Sequence, residues 1–411
     1  MREAFWQARG RSRGIQGMSL LTDTESLGSS KRIPQLDGLR GLAILFVLSW
    51  HYFYFFPDPN HHPDSAFRNL YVYFERCLVL GWSGVDLFFV LSGFLIGGIL
   101  LDARMSPNYF KTFYFRRFYR IVPVYYAWIL FYILLMTFGG PALRSHVPRA
   151  AETQGWDHVY AHFLFVQNLG FVRYSIIASV WFVATWSLAV EEQFYLVSPF
   201  LIRILSQRAL YWSLSTVIFV APLLRLFMRQ LHARTELGLA YILMPCRADA
   251  LAIGMLAALF WRNEVFRVWI GSRSGVLYGL LGIFSLGVLA LGKWSPRYNS
   301  LAMQSFGYTW IALFYVLILL LSLVEAGGPI ALILRIGWLR EFGRVSYCAY
   351  IIHYAVNYFC HLLLMSETRP GPHWLIVAVP MLAALLTYAL AKVSLIYFEE
   401  PLLRRGHAFR Y

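Results

Sequence analysis

One histidine, His51, lies in an apolar run that extends from Leu39 to Phe56. The run is long enough to cross a lipid bilayer. An ionisable side chain in hydrocarbon is costly and is usually retained there for chemistry or transport. At about 1.5 Å of rise per residue, His51 lies about 18 Å from Leu39, within a hydrocarbon layer roughly 30 Å thick. The sequence therefore predicts an imidazole near mid-membrane that can accept and release protons.

Two further ionisable residues are predicted at a similar depth in neighbouring spans. Asp86 lies about 12 Å below the outer end of the second predicted span, and Arg247 lies about 12 Å into the sixth. A carboxylate at that depth can hold the His51 imidazole in one tautomer, so His51 and Asp86 are predicted to be catalytic. The alternative is a neutral core histidine whose ring bonds a neighbouring backbone carbonyl.

Three arginines indicate where an anionic ligand would bind. Arg117 and Arg120 lie one helical turn apart at the predicted cytoplasmic mouth of the third span, and Arg40 lies at the same level of the first. Guanidinium groups so spaced can address one phosphate-bearing ligand, because arginine offers forked donors. The alternative is that such arginines only set topology and reach lipid headgroups. That alternative is preferred for Arg116.

These residues must be positioned by helices that cross a membrane. Of the 411 residues, 59% are hydrophobic and 14% are charged, and the mean hydropathy is +0.55. Such a composition excludes an ordinary soluble protein. The predicted fold class is an all-α polytopic membrane protein with about ten transmembrane helices. The predicted spans are 39–56, 78–101, 118–138, 180–204, 209–228, 239–261, 275–292, 304–325, 345–365 and 374–397.

The formal net charge of +15 is attributed to topology and not to nucleic-acid binding. With these spans, 23 of the 36 Lys and Arg residues lie on the N-terminal side of the membrane and 10 lie on the opposite side. The positive-inside rule then places both termini in the cytoplasm. The predicted location is the inner or plasma membrane, with several membrane crossings. The four cysteines have neither pair nor ligand spacing, so we expect no disulfide framework and no metal site.

The chain divides into one large unit and two short ends. Residues 1–30 lack hydrophobic periodicity and are predicted to form a flexible cytoplasmic tail. Residues 31–401 form the transmembrane unit, and 402–411 are predicted to form a short basic cytoplasmic tail. Within the outer loop 139–179, the apolar stretch 158–171 is too short to span and is predicted to be interfacial or re-entrant.

Seven segments, taken in order, resemble the membrane-bound acyltransferase family 3, whose bacterial members O-acylate sugars of polysaccharides, peptidoglycan and antibiotics. They are LDGLRGLAILFVLSWHY (36–52), GWSGVDLFFVLSGFLI (81–96), FRRFYRIVPVYY (115–126), WFVATWSLAVEEQFYLVSP (181–199), CRADALAIG (246–254), VSYCAYIIHY (345–354) and YFEEP (397–401). Each segment is a weak signal alone, but seven in one order are specific. The resemblance implies that residues 31–401 are a transmembrane acyltransferase domain.

The resemblance also marks Glu191 and Glu192. Only one of them can face the site squarely, because consecutive helical residues point about 100° apart, and the choice stays open. The alternative role for either is a structural ion pair with an arginine such as Arg247. Tyr195, one turn further, is expected to donate a hydrogen bond. Two roles are equally favoured for the remaining candidates: support of catalysis, or polar contacts that hold helices together. These candidates form two groups, Asp249 with Arg247, and His353 with Ser346 and Tyr350.

The resulting prediction is an integral membrane O-acyltransferase that uses cytoplasmic acyl-CoA, acetyl-CoA by default, as co-substrate and holds no permanently bound cofactor. The acceptor is a hydroxyl of a carbohydrate, a lipid-linked sugar or a glycosylated small molecule. His51 is expected to take the hydroxyl proton as that oxygen attacks the thioester carbonyl. In a competing version His51 is acylated first, which would make the enzyme ping-pong.

Two alternatives come from other classes. A proton-coupled transporter or flippase would use His51, Asp86 and Glu191 as a proton relay. The chain shows no internal repeat of the kind that relates the two halves of many transporters, which disfavours it. A scaffold that has lost activity is disfavoured because none of the matched polar positions is replaced.

Overall fold

The computed structural model describes residues 33–54, 76, 78–140, 159–174, 180–231, 238–365 and 374–411. This part of the chain is 87% helical and contains no strand, which confirms the all-α prediction. The predicted tail 1–30, Cys77 and most of the loop 139–179 lie outside the described residues.

The helices are numbered in chain order. They are α1 (Pro34–Ser49), α2 (Gly84–Asp102), α3 (Tyr109–Phe138), α4 (Val159–Phe163), α5 (Gln167–Tyr174), α6 (Trp186–Ile204), α7 (Gln207–Leu231), α8 (Leu239–Ile242), α9 (Met244–Trp261), α10 (Glu264–Gly271), α11 (Ser274–Trp294), α12 (Tyr308–Val324), α13 (Pro329–Leu334), α14 (Gly337–Leu364), α15 (Leu375–Ser394) and α16 (Glu400–His407). Turns of 3₁₀-helix precede α2 (Gly81–Ser83) and α6 (Val180–Thr185), and π-helical turns lie at Trp50–Tyr54, Met303–Gly307 and Leu395–Glu399.

Seven helical stretches among the described residues are long and apolar enough to cross a membrane. They contain α2, α3, α7, α8 with α9, α11, α12, and α15 with α16. The other three predicted spans overlap α1, α6 and α14, which carry Arg40, the two glutamates and His353. Those polar residues lower the hydropathy of these helices. The count of about ten spans and the sidedness of the termini stay predictions.

Glycine lets α1 approach α14 closely. A Cβ atom on Gly41 would lie 1.8 Å from the carbonyl oxygen of Leu339, and one on Gly343 would lie 1.9 Å from that of Asp37. No larger residue fits at such a separation, and small residues at helix contacts are typical of membrane proteins. The contact fixes α1, which carries Arg40 and leads into the turn that holds His51, against α14, which carries His353.

A second close pair is formed by α2 and α9. A Cβ atom on Gly93 would lie 2.0 Å from the carbonyl oxygen of Leu251, and one on Gly254 would lie 2.1 Å from that of Val90. The two helices therefore touch backbone to backbone. This contact brings the buried acidic residue of α2, Asp86, to the face of α9.

The apolar stretch 158–171 contains α4 and the first five residues of α5, and both helices are too short to span a membrane. The buried Gln167 donates from Nε2 to the carbonyl oxygen of Thr185 at 2.7 Å. From α6, Gln193 donates to the carbonyl oxygen of Phe165 at 3.0 Å. Both bonds anchor the stretch to the start of α6 and the turn before it.

The segment 402–411, predicted to be a tail, is helical over much of its length as part of α16. Its last residues return to α3, where the hydroxyl of Thr112 donates to the carbonyl oxygen of Arg410 at 2.7 Å. Phe115 and Phe409 stack with ring centres 4.6 Å apart. These contacts dock the segment onto α3.

Candidate active site

A cavity of about 170 Å³ lies between α1, α2, α3, α6 and α14. Its lining brings together the three arginines predicted to bind the donor, Arg40, Arg117 and Arg120, with Glu191 and Tyr195. The other polar residues in the lining are Ser92, Ser187, Ser346, Tyr347 and Tyr350. The cationic and acidic candidates therefore share one space, although they come from separate helices.

The arginines of α3 divide between two roles. The guanidinium carbon of Arg117 lies 5.7 Å from the centre of the Tyr195 ring and 5.9 Å from that of Phe113. Arg116 points elsewhere, because its Nε and Nη2 donate to the carbonyl oxygen of Phe409 at 2.9 and 2.7 Å. Arg116 thus has a structural partner, although that partner is a backbone carbonyl and not a lipid headgroup.

The choice between the two glutamates falls on Glu191. Its Oε1 accepts from the hydroxyl of Ser92 at 2.7 Å, and its Oε2 accepts from the hydroxyl of Tyr195 at 3.2 Å. Glu192 is not among the residues that line the cavity. Its Oε1 is buried and has no hydrogen-bond partner in the described part of the chain. Tyr195 donates its hydroxyl as the sequence predicts.

His51 lies in the π-helical turn that follows α1. Its Nδ1 is 3.1 Å from Nε2 of His353 on α14, and its ring also hydrogen bonds to the backbone of Val47. The ring of Tyr354 lies against it, with centres 4.5 Å apart. The next residue, Tyr52, donates its hydroxyl to the carbonyl oxygen of His353 at 3.2 Å. Both residues therefore attach the turn to α14.

The expectation that Asp86 holds the His51 imidazole is wrong, because Asp86 pairs with Arg247. Their Oδ1 and Nη2 atoms lie 2.6 Å apart, and both side chains are buried. A guanidinium is a permanent cation, so a buried carboxylate binds it in preference to a neutral imidazole. Since Arg247 is held by Asp86, the structural ion pair suggested for Glu191 or Glu192 is not formed with this arginine.

Asp249 pairs with Arg225 of α7, which is a polar contact between helices. Nη1 of Arg225 lies 2.9 Å from Oδ2 of Asp249, and Thr309 also donates to that oxygen, at 2.5 Å. Arg225 is missing from the candidate residues, although a single arginine within the apolar run 209–228 is a recognisable signal of a buried polar contact. These bonds join α7, α9 and α12.

Tyr350 separates the cavity from the two histidines. Its hydroxyl lies 2.6 Å from that of Ser187, and its ring centre lies 5.6 Å from that of His353. Tyr350 lines the cavity, whereas His51 and His353 are not among the lining residues. The structure thus brings the donor-site candidates together and places the histidine pair one aromatic layer away. The hydroxyl of Ser187 carries no distinctive signal in the sequence.

Comparison with known proteins supports an acyltransferase. The chain is 25% identical over 391 residues to the O-acetyltransferase OatA of Staphylococcus aureus, an alignment that covers 93% of this chain and 59% of the relative. It is 26% identical over 393 residues to the peptidoglycan O-acetyltransferase OatA of Listeria monocytogenes, covering 92% of this chain and 57% of that protein. The chain therefore spans less than two thirds of the length of these relatives. No solved structure matches it.

The sequence model of an acyltransferase domain, that of the acyltransferase 3 family, matches residues 33–392. This span includes all the candidate residues that line the cavity and both histidines beyond it. The resemblance drawn from the seven segments is confirmed, and the chain belongs to the acyltransferase 3 family.

Proposed function

We propose that this membrane protein is an O-acyltransferase that moves an acyl group, acetyl in the first instance, from acyl-CoA to a hydroxyl of a carbohydrate or glycoside. His51 is the general base. The observation that carries the proposal is the convergence of Arg40, Arg117 and Arg120 on one cavity whose far end is Tyr350, the neighbour of His353.

The three arginines favour a phosphate-bearing donor. Like charges that face one cavity repel each other, and an anion bound between them relieves that repulsion. Arginine also matches the geometry of phosphate oxygens through paired donors. The positive-inside rule assigns this end of the bundle to the cytoplasm, where acyl-CoA is made. Acyl-CoA therefore suits the charge of the cavity and the side of the membrane predicted for its arginines.

The acyl group must then reach His51. In the proposed path the thioester passes the hydroxyls of Tyr350 and Ser187, which lie 2.6 Å apart at the inner end of the cavity. In this path the acceptor approaches from the opposite side of the membrane. The class of acceptor is suggested by the name of the Listeria relative, a peptidoglycan O-acetyltransferase. A polysaccharide or peptidoglycan hydroxyl in the cell envelope is thus the acceptor class that we propose.

The acyl transfer needs no reactant other than the thioester and the acceptor hydroxyl. His51 takes the proton of the acceptor hydroxyl while that oxygen forms a bond to the thioester carbonyl carbon. The carbon–sulfur bond breaks, and the CoA thiolate leaves and takes up the proton from His51. Glu191 accepts hydrogen bonds from Ser92 and Tyr195, so its role is to hold the polar wall of the donor cavity.

The test is release of CoA thiol from acetyl-CoA by the purified protein in lipid nanodiscs, with a soluble glycan fragment as acceptor. Replacing Arg117 or Arg120 with Gln should raise the KM for acetyl-CoA about 10- to 100-fold, because a hydrogen bond to a charged group contributes about 1.5–3 kcal/mol. The wild-type KM should also rise with salt. The matched control is Arg116→Gln, since Arg116 lies on the same helix but binds Phe409.

The outcomes separate the parts of the proposal. Equal acetyl-CoA affinity in wild type and in the Arg117→Gln and Arg120→Gln variants would remove these arginines from the donor site. Full turnover in a folded His51→Ala variant would remove the general base. Proton-coupled uptake of a solute by proteoliposomes, without any thiol release, would replace the enzyme with the transporter alternative.

A further inference from the structure

The histidine on α14, His353, is buried and directly contacts His51. Its Nδ1 lies 2.7 Å from the carbonyl oxygen of Tyr350, and its Nε2 lies 3.1 Å from Nδ1 of His51. Each of the two ring nitrogens of His353 thus makes one of these contacts. The hydrogen positions can therefore be derived from the donors and acceptors that each contact requires.

The first contact fixes the tautomer of His353. A carbonyl oxygen only accepts, so Nδ1 of His353 must carry the hydrogen in the bond to Tyr350. A protonated imidazole has a hydrogen on both nitrogens, but a positive charge on this fully buried ring would have no compensating carboxylate in its described contacts. His353 is therefore neutral, and its Nε2 carries a lone pair.

The second contact then fixes the tautomer of His51. A hydrogen bond between two ring nitrogens needs one hydrogen and one lone pair, and the lone pair is on His353. Nδ1 of His51 must therefore donate to Nε2 of His353. The lone pair of neutral His51 then lies on Nε2.

We infer that His353 is a positioning residue that holds His51 in the Nδ1–H tautomer and so makes Nε2 of His51 the atom that takes the acceptor proton. This inference rests on the proposed function and adds to it the identity of the basic atom. His353 fills the place of the carboxylate that usually orients a catalytic histidine. A neutral partner suits this site, because it orients the base without adding a second charge to the membrane interior.

The test uses two substitutions that each preserve half of the ring. The amide of Gln reaches the position of Nε2, so its carbonyl can accept from His51, whereas the shorter Asn reaches only the position of Nδ1. His353→Gln should keep kcat within about tenfold of wild type, and His353→Asn should lower it about 100-fold or more, with the KM for acetyl-CoA unchanged in both. His361→Gln is the matched control, because Nδ1 of His361 bonds the carbonyl oxygen of Asn357 at 2.8 Å on the same helix.

A second measurement does not depend on activity. ¹⁵N NMR of histidine-labelled protein in bilayers shows which ring nitrogen carries hydrogen, and the His51 signals are those that disappear in His51→Ala. Wild type should show hydrogen on Nδ1 of His51 and none on Nε2, and His353→Asn should lose this preference. Hydrogen on Nε2 in wild type, or equal loss of kcat in the Gln and Asn variants, would overturn the inference. Absence of transfer in wild type would instead refute the proposed function, with the tautomer still decided by NMR.

Discussion

Replacing Asp86 with Asn removes one of two opposite charges that are buried between α2 and α9. The carboxylate and the guanidinium of Arg247 approach to 2.6 Å, and each side chain is about 1% exposed. At charge separations of about 4 Å and an effective dielectric constant of about 20, such a pair attracts by about 4 kcal/mol. The variant leaves Arg247 as an uncompensated cation, which costs about 3–5 kcal/mol of folding free energy.

The same two helices provide a control pair at their other end. Asp102 and Arg262 approach to 2.5 Å, but the side chain of Asp102 is 66% exposed. An exposed pair contributes about 0–1 kcal/mol, so Asp102→Asn should have little effect. Arg262 makes two hydrogen bonds to Asp102, whereas Arg247 makes one to Asp86, so a larger effect of Asp86→Asn would come from burial and not from the number of bonds.

Unfolding in mixed micelles, followed by tryptophan fluorescence, measures both variants. Asp86→Asn and Arg247→Gln should each be strongly destabilised, and the double variant should lose much less than the sum of the two, as expected for interacting partners. Where Asp86→Asn remains folded, it should retain most of its acyl transfer, because Asp86 bonds Arg247 and not His51. A variant of wild-type stability that has no activity would refute this reasoning and return Asp86 to the catalytic residues.

Two further predictions concern packing and sidedness. Gly343→Ala should weaken the contact between α1 and α14 and lower both folded yield and activity, whereas Gly337→Ala on the same helix should not, because a Cβ atom there meets nothing within 4 Å. Equal yields of the two variants in detergent extracts would contradict the close approach. Reporter fusions after Pro57 should be extracytoplasmic and those after Arg104 and at Tyr411 cytoplasmic, because the Lys and Arg clusters flank the latter two points; a cytoplasmic signal after Pro57 would exchange the donor and acceptor sides.

The parts of the molecule that follow from local sequence are predicted well. Apolar length identifies the long helices, and the helical spacing of Arg117 and Arg120 places both in one cavity. Helical spacing also limits the glutamates to one that faces the site, although it cannot choose Glu191 over Glu192. That choice depends on where Ser92 of another helix lies, which no local pattern contains.

The sequence does not predict which buried polar residues contact each other. Depth along a span is calculable from residue number, so Asp86, Arg247 and His51 are all expected in the membrane interior. Rotation and neighbour order of the helices are not calculable in the same way, and they decide that Arg247 meets Asp86 while His51 meets His353. The partner of His51 is 302 residues away in the chain.

The two close helix pairs, α2 with α9 and α1 with α14, differ in the kind of polar contact that they bury. The α2–α9 pair neutralises its buried charges within a short, fixed ion pair, so Asp86 and Arg247 have little freedom to exchange protons with a substrate. The contact between α14 and the turn after α1 joins two imidazoles, and an imidazole can take up and release a proton without carrying a permanent charge. Glycine contacts hold both pairs at fixed separation, so the permanent charges lie in the scaffold, apart from the two histidines. Under the proposed function, a proton passes through His51 while the ion pairs that hold the bundle together remain intact.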